Sequence, residues 1–501
     1  MDLWRRLALL CALQACVHSD NELTNRCASD NDCGERVCAA DLRKSPEDLS
    51  PLPLLCSERR QGRAQGAACD IADDCQTGVC VLAGACASAC ESAADCTQTQ
   101  RCQTAYARTG PGQFARVSAC VETIDLPPDA QVLREPRRSV PSSENERLHL
   151  PPLAAQTLYV LEHLGDTGWP VPPGRSTCRP PLCARGLREA ANPEHVLFDV
   201  ALLPTAADGP ELAVALGKHV NPLTVWAPNG PRLASEPRAY LLDVEIPRAG
   251  DLQLTALARS ERGARLDLNL YYAGARGLEP EGARGPAPIA AALEELERIF
   301  APADIYVGEV RQTLIAGALL ERGADLPQAE ASAGFAVLRS QYQVLPQLPE
   351  LLKLSAGAAN VALDVFFVAD IDAQGGADVG GIAGGTPVPF GMHGTPGSGV
   401  AVATDMFLDV GDPARLGRTL AHELGHALGL FHTSEPDGLV VDALPDTPSC
   451  SLAQDSDGSG SLDALECAAH GGDNLMFSTS DAGTQLTAQQ RAVLRAALIL
   501  Q

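Results

Sequence analysis

Cysteines repeat with almost constant spacing near the start of the chain, and this repetition restricts what the region can fold into. Twelve of the eighteen cysteines lie between residues 27 and 120, in three units of four. The units are Cys27, Cys33, Cys38 and Cys56; Cys69, Cys75, Cys80 and Cys86; and Cys90, Cys96, Cys102 and Cys120. Segments this short cannot bury an adequate core, so we predict three small units, each held by two disulfides of open connectivity. Zinc binding is the alternative, and the spacing disfavours it because zinc sites use paired CxxC motifs.

The first sixteen residues are typical of an export signal. Arg5 and Arg6 precede an apolar stretch, Leu7–Ala15, that is too short to span a bilayer. The stretch ends in LQAC, which resembles the bacterial lipobox, although its glutamine is unusual in that motif. We predict a signal peptide over residues 1–16 and lipidation of Cys16, with simple cleavage and secretion as the alternative. Either route exports the protein, to a bacterial cell envelope or to the medium.

The middle of the chain carries fewer chemical signals. Proline, serine and charged residues dominate residues 123–148, which is a linker composition. From 149 to 284, short apolar runs are separated by Pro/Gly turns, and the run Leu266–Leu270 alternates strictly between apolar and polar residues. This spacing predicts a β-sandwich or jelly-roll module, which would either bind substrate or act as an inhibitory pro-region. Cys178 and Cys183 lie close together and most simply pair.

The eleven residues HELGHALGLFH, from His422 to His432, contain the strongest chemical signal. His422 and His426 are four residues apart, so on a helix their rings project from one face and can bind one metal ion. Glu423 follows the first histidine, where its carboxylate can act as the catalytic base on a metal-bound water. Gly429 can end the helix and turn the chain, which brings His432 round as a third ligand. Three histidines leave a fourth coordination position open, as catalytic zinc sites do.

The sequence also specifies the helix that carries these residues. Asp412 is a good N-cap, and Pro413 fits the first turn. Leucines recur every four residues and predict a buried stripe, formed by Leu416, Leu420, Leu424 and Leu428. The alternative is that the two histidines and the glutamate are incidental surface residues. The additional Gly429 and His432 at the matching spacing disfavour it.

This segment resembles the metzincin clan of zinc endopeptidases, and within it the pappalysin-like and related bacterial exported proteases. Downstream, the residues DNLMF around Met476 are similar to the Met-turn that forms a hydrophobic floor beneath the metal in that clan. Residues 442–448, DALPDTP, are similar to an Asp-Thr-Pro segment of pappalysin-like sequences. Some relatives place a tyrosine two residues after the methionine, where this chain has Ser478, so no tyrosine role is carried over. The resemblance implies zinc, peptide-bond hydrolysis and an α+β catalytic domain over residues 285–501.

The residues upstream of the motif agree with this layout. Ile289, Leu293, Leu296 and Phe300 predict a first amphipathic helix. Residues 304–310 predict a strand, and Val361–Val368 predict a central strand. Residues 398–403 are interpreted as the edge strand that, in the family, binds an extended substrate by β-augmentation.

Residues 455–466 fit the twelve-residue EF-hand calcium loop. The predicted oxygen ligands are Asp455, Asp457, Ser459, the Ser461 carbonyl, Asp463 and Glu466. Gly460 provides the sharp turn, whereas Ser459 departs from the usual Asp or Asn and weakens the site. Cys450 and Cys467 bracket the loop and are predicted to pair. The alternative is a polar, disulfide-pinned surface loop without a metal.

Together these features predict a multidomain exported protein. The predicted parts are the signal at 1–16, a cysteine-rich region at 17–122, a linker at 123–148, a β-rich module at 149–284 and a zinc metalloprotease domain at 285–501. The formal net charge of −25 argues against nucleic acid or anionic lipid as a partner, which leaves a protein or peptide substrate and membrane contact only through a lipid on Cys16. The predicted function is that of a zinc-dependent metalloendopeptidase. A surface binding protein with an inactive protease fold and a zinc amidase acting on cell-wall material are the alternatives.

Overall fold

The computed structural model divides the chain into two compact units. One consists of residues 1–123 with 317–319 and 354–359, and the other of the remaining residues. The structure describes residues 27, 33–34, 36–40, 54–57, 61–90, 95–97, 100–110, 113–122, 125–135, 138–154, 156–164, 182–194, 196–199, 215–216, 222–227, 236–246, 249–259, 263–275, 277–315, 337–339, 347–372, 379–439, 441–442, 444–479 and 483–501. The predicted signal with Cys16, and the predicted pairing of Cys178 with Cys183, lie outside the described residues. No helix in these ranges is long and apolar enough to cross a membrane.

Disulfides dominate the first unit. The prediction of two disulfides in each repeat is confirmed, and in each repeat the first cysteine pairs with the third and the second with the fourth. The pairs are Cys27–Cys38, Cys33–Cys56, Cys69–Cys80, Cys75–Cys86, Cys90–Cys102 and Cys96–Cys120. Together with Cys450–Cys467, this abundance of disulfides indicates an exported protein.

Short antiparallel strands accompany these disulfides. Strands β1 (Val37–Ala40) and β2 (Leu54–Ser57) form one pair. Strands β3 (Ser88–Ala89), β4 (Gln100–Gly110) and β5 (Gln113–Glu122) form a second sheet in the order β3-β5-β4. Small apolar side chains such as Val79, Ala105 and Ala119 fill a small core beside the disulfides.

The second unit begins with a β-sandwich, as the spacing of apolar runs predicts. Its strands are β6 (Ala130–Arg134), β7 (Arg138–Val140), β8 (Ser143–Leu150), β9 (Thr157–Leu164), β10 (Cys183–Glu189), β11 (Val196–Asp199), β12 (Ala215–Leu216), β13 (Leu223–Ala227), β14 (Tyr240–Ile246) and β15 (Gly250–Arg259). One antiparallel sheet has the order β11-β10-β14-β8, and the other has the order β12-β13-β9-β15-β6 with β7 also paired to β15. Side chains from both sheets, among them Leu242, Val244, Leu161 and Val225, form a single core.

The predicted linker at 123–148 differs from the structure, because β6, β7 and the start of β8 lie within it. Among the described strands, β6 and β7 each pair with β15 alone, so they form an edge of their sheet. An edge strand needs hydrogen bonds on one side alone and tolerates nearby proline and exposed charge. Its composition therefore resembles that of a linker.

A five-stranded sheet follows, with strands β16 (Arg265–Ala273), β17 (Tyr306–Ile315), β19 (Leu363–Val368), β21 (Gly381–Ala383) and β22 (Gly399–Ala403). The order is β17-β16-β19-β22-β21, and all neighbours are parallel except β21 and β22. Strands β18 (Val337–Arg339) and β20 (Asp370–Asp372) form a separate parallel pair.

Two sequence expectations about this sheet differ from the structure. The alternating run that includes Leu266–Leu270 belongs to β16, an interior strand of this sheet, and not to the preceding β-rich module. Residues 398–403 were expected at the edge, but β22 lies between β19 and β21, and all its residues are buried. A short run of small apolar residues is what an interior parallel strand requires. The edge position belongs to β21.

Helices cover the sheet. They are α1 (Ala287–Phe300), α2 (Gln347–Leu352), α3 (Asp405–Leu408), α4 (Pro413–Ala427) and α5 (Ala488–Arg495). The predicted first amphipathic helix is α1, and its four predicted apolar residues are all buried. Helices α1 and α4 approach closely at Gly417, where an added Cβ would lie 2.5 Å from the Ala292 carbonyl oxygen. The leucine stripe of α4 is fully buried against the sheet, as predicted.

The sandwich and the five-stranded sheet share one hydrophobic core. Leu158, Val160, Trp226 and Leu257 come from the sandwich and pack within the core formed by the sheet and its helices. Trp226 meets Phe390 edge to face, with ring centroids 5.7 Å apart. The Thr224 hydroxyl donates to the Pro387 carbonyl at 2.8 Å. Strands β9, β13 and β15 of the larger sheet are therefore buried on both faces.

Candidate metal centre and cleft

Helix α4 carries the first two histidines and is delimited as the sequence predicts. The Asp412 side chain accepts a hydrogen bond from the Arg415 amide at 2.9 Å, and Pro413 occupies the first turn. The helix ends at Ala427, and Gly429 adopts φ = 109°, a conformation that residues with a Cβ rarely adopt. This turn reverses the chain and returns His432 toward the helix.

Three imidazole rings converge at this point. The Nε2 atoms of His422 and His426 are 3.1 Å apart, those of His426 and His432 are 3.0 Å apart, and those of His422 and His432 are 3.2 Å apart. All three side chains are half-buried. A triangle of this size accommodates a metal ion at the about 2.0–2.1 Å that zinc requires from each nitrogen.

The opposite nitrogen of each ring is held by an acceptor. The Nδ1 atoms of His422 and His426 lie 2.7 Å from the carbonyl oxygens of Leu475 and Leu430, respectively. The Nδ1 atom of His432 lies 3.2 Å from a carboxylate oxygen of Glu435. A carbonyl or carboxylate oxygen can only accept, so each Nδ1 carries the proton and each Nε2 presents its lone pair to the shared point.

Burial keeps the first two imidazoles neutral. Burial, with the neighbouring His432 as a further cause, lowers the pKa of His422 to about 4. The same two causes and His422 lower the pKa of His426 well below its ordinary value. Metal ligation requires the neutral ring. Three nitrogen donors that converge on one point are the donor set that fits zinc.

Glu423 lies beside the histidines with its side chain almost fully buried. Burial raises the pKa of its carboxyl to about 8, and the Ala383 amide donates to the carboxylate and partly opposes that rise. Edge strand β21 therefore contacts this carboxylate through its backbone. An added Cβ on Gly381 would lie 2.5 Å from the Glu423 Cγ, so only glycine permits this approach.

Met476 lies directly beneath the histidine-bearing helix. It is fully buried, and an added Cβ on Gly425 would lie 2.6 Å from its sulfur. Its amide donates to the Asn474 side chain at 2.8 Å, and its carbonyl accepts from the Thr433 amide at 2.9 Å. The turn around Met476 is therefore bonded to the segment that follows His432.

The predicted Asp-Thr-Pro segment lies beside this turn and begins at a buried carboxyl. Burial raises the pKa of Asp442 to about 7, although the Thr447 hydroxyl and the Leu444 amide both donate to it. The Asp446 carboxylate accepts from the Thr487 hydroxyl at 2.8 Å and from the Gln489 amide at 2.9 Å. The segment thus fixes the start of α5.

A cleft of about 340 Å³ opens next to these groups. It is lined by Val379, Gly380, Gly381, Arg418, Thr419, His422, Glu423, His432, Leu475, Ser478, Thr479 and Gly483. Its walls are the edge-strand segment, helix α4 and the residues after Met476. Ser478 lies in this lining. Sequence reasoning missed Arg418, which lies one helical turn before His422 and thus on the same face.

Sequence reasoning also missed a buried polar network, which connects His393 to Asp364 on β19 and Asn269 on β16. The Nδ1 atom of His393 lies 2.8 Å from a carboxylate oxygen of Asp364, and its Nε2 atom lies 2.8 Å from the Asn360 carbonyl oxygen. The second Asp364 oxygen accepts from the Asn269 amide at 2.9 Å. Burial disfavours the charged imidazole, but Asp364 outweighs burial and raises the pKa of His393 to about 9. The raised pKa favours a protonated His393 at neutral pH, which forms a buried ion pair with the Asp364 carboxylate.

The predicted calcium loop brings three carboxylates together. Oxygens of Asp455, Asp457 and Glu466 all lie within 4.8 Å of one another. The Ser459 hydroxyl donates to the Ser461 carbonyl at 2.9 Å, so two predicted ligands pair with each other. The remaining predicted ligand, Asp463, accepts from the amides of Leu465 and Glu466, each at 2.8 Å. The predicted disulfide Cys450–Cys467 pins the loop.

Comparison with known proteins does not identify a family for this chain. No protein-family model matches the chain, and no curated protein matches it in sequence.

Proposed function

We propose that this protein is a zinc-dependent metalloendopeptidase. The observation that carries the proposal is the convergence of three Nε2 atoms, 3.0–3.2 Å apart, beside the buried carboxyl of Glu423. A structural zinc site would use a fourth protein ligand. Among the described residues, no further His, Cys, Asp or Glu joins the three histidines as a potential ligand.

The residues of the cleft have separate roles in this proposal. His422, His426 and His432 hold the zinc. When bound, zinc lowers the pKa of a coordinated water and polarises the carbonyl of the substrate. Glu423 removes a proton from the attacking water and delivers it to the departing amine. The positive charge of a bound zinc would favour the ionised carboxylate of Glu423. It would therefore oppose the rise in pKa that burial causes.

Strand β21 provides the proposed docking site for the substrate backbone. On its outer side it has no strand partner among the described residues, and it lies at the end of the sheet order. An extended peptide can pair with such an edge through backbone hydrogen bonds. Because the Ala383 amide on this strand also contacts Glu423, a peptide paired here would lie along the cleft.

The proposal is tested by metal content and cleavage of casein by the full mature chain. We expect about one zinc per chain, casein cleavage that stops when a chelator removes the metal, and recovery on addition of zinc. Digestion of purified peptidoglycan in parallel distinguishes a cell-wall amidase. A protein that binds zinc and cleaves neither material would support the binding-protein alternative. A chain that binds no zinc at neutral pH would refute the proposal.

We also propose that the loop at 455–466 binds calcium, and that the exported chain is lipidated at Cys16. Calcium binding rests on the three convergent carboxylates and on the twelve-residue pattern. Lipidation rests on the N-terminal sequence alone.

Calorimetric titration of calcium into the zinc-loaded protein tests the loop. We expect one saturable site whose affinity falls at least about tenfold in Glu466→Gln, because the residue at the twelfth position provides two oxygens to the ion. The matched control is Glu309→Gln, an exposed carboxylate on β17. Equal affinity in all three proteins, or no calcium-dependent heat, would contradict the prediction.

A further inference from the structure

Arg418 is the one cationic side chain among the described residues that line the cleft. It lies on α4, four residues before His422, so its side chain leaves the same helix face. It is half-buried and shares the cavity with Glu423 and His432. A guanidinium is always charged, so this position puts a fixed positive charge close to the reacting groups.

The charge of Arg418 is not neutralised within the part of the chain that the structure describes. No hydrogen bond or ion pair joins it to a described residue. By contrast, Arg415, one turn earlier on α4, lies over the Phe407 ring at 5.7 Å. The acidic group among the described lining residues is Glu423, whose carboxyl accepts from the Ala383 amide on the opposite wall. A half-buried guanidinium with five donors gains most from a carboxylate, which it can bind through two parallel hydrogen bonds.

We propose that Arg418 makes this enzyme select substrates with an aspartate or glutamate adjacent to the scissile bond. This inference rests on the proposed peptidase function. The cavity of about 340 Å³ is large enough for either side chain. Ser478 and Thr479 also line it, and their hydroxyl oxygens have no hydrogen-bond partner among the described residues.

The first test is digestion of a proteome-derived peptide library by the zinc-loaded full chain, with cleavage sites identified by mass spectrometry. We expect enrichment of Asp and Glu at one position next to the cleaved bond. This enrichment should disappear in Arg418→Gln and change to Lys and Arg in Arg418→Glu. The matched control is Arg311→Gln on β17, the strand at the opposite edge of the sheet, whose side chain is half exposed.

The second test measures binding without turnover. Two peptides that differ only by Asp or Asn at the enriched position are titrated into zinc-loaded Glu423→Gln and followed by fluorescence anisotropy. We expect the Asp peptide to bind about tenfold more tightly than the Asn peptide, as is typical of a charge-assisted bidentate pair. The double variant Glu423→Gln/Arg418→Gln should bind the two peptides with equal affinity. Partial retention of the preference in Arg418→Lys would agree with a contact between charges.

The outcomes separate this inference from the proposed function. Cleavage without acidic preference, or a preference that survives in Arg418→Gln, overturns the role of Arg418 and leaves the peptidase in place. If the zinc-loaded wild type cleaves no peptide, the proposed function fails and the inference fails with it.

Discussion

Replacing Glu423 with glutamine is expected to lower kcat/KM for peptide cleavage by about 10²–10⁴-fold and to leave zinc content unchanged. The amide keeps the size of the side chain and can still accept from the Ala383 amide, so β21 keeps its position. The amide cannot take a proton from the attacking water. Because Glu423 is not one of the three converging nitrogen donors, the metal should remain bound.

The measurement is steady-state cleavage of a casein-derived peptide, with zinc quantified on the same samples. Glu309→Gln, on the far edge of the sheet, is the control and should retain full activity. Retention of activity in Glu423→Gln would remove Glu423 from the role of base. Loss of zinc together with activity would instead show that the carboxylate organises the histidines.

The largest effect on stability is expected from Asp364→Ala, at about 3–5 kcal/mol of unfolding free energy. This carboxylate is fully buried, lies 2.8 Å from His393 and accepts from the Asn269 amide. Its removal leaves a buried imidazole with a pKa that burial alone would lower. The measurement is urea-induced unfolding of the full chain, with Asp409→Ala, an exposed carboxylate directly after α3, as the control. Destabilisation equal to that of the control would contradict the prediction.

The pH dependence of stability provides an independent signature of this ion pair. The pKa of His393 is raised from 6.5 to about 9 in the folded protein, so folding favours the protonated ring. The resulting stabilisation is fully present below pH 6.5 and is lost as the pH rises through about 9. The wild type should therefore lose stability across this interval, and Asp364→Ala should lack this contribution to the slope. A wild-type slope of the opposite sign in this window would contradict the assignment.

Local patterns in the sequence predicted the elements that depend on nearby residues. The cap at Asp412, the leucine stripe of α4 and the turn at Gly429 each involve residues a few positions apart, and all agree with the structure. The convergence of the histidines follows from the same local geometry. Each disulfide pair of the repeats also closes a short loop, although the first-to-third and second-to-fourth pairing was not predictable.

Features that depend on distant residues were not predictable in this way. Asp267 and Asn269 alternate with leucines in β16, which normally indicates a solvent-facing side, yet both are buried. Asn269 bonds to Asp364, which is far away in sequence. The strand β21 has only three residues, which is too short to show an apolar periodicity. Its position depends on pairing with β22. Sequence reasoning therefore assigned the edge to the more regular β22.

The packing of the sandwich bears on whether this module could be released as an inhibitory segment. Its larger sheet holds Trp226 against Phe390, close in sequence to the cis peptide bond that precedes Pro387. Cleaving the chain between β15 and β16 would not free the sandwich, because separation would expose these aromatic surfaces to water. Maturation by proteolysis would therefore leave a nicked but still associated molecule. The sandwich is thus a permanent part of the molecule's interior and not a removable cover.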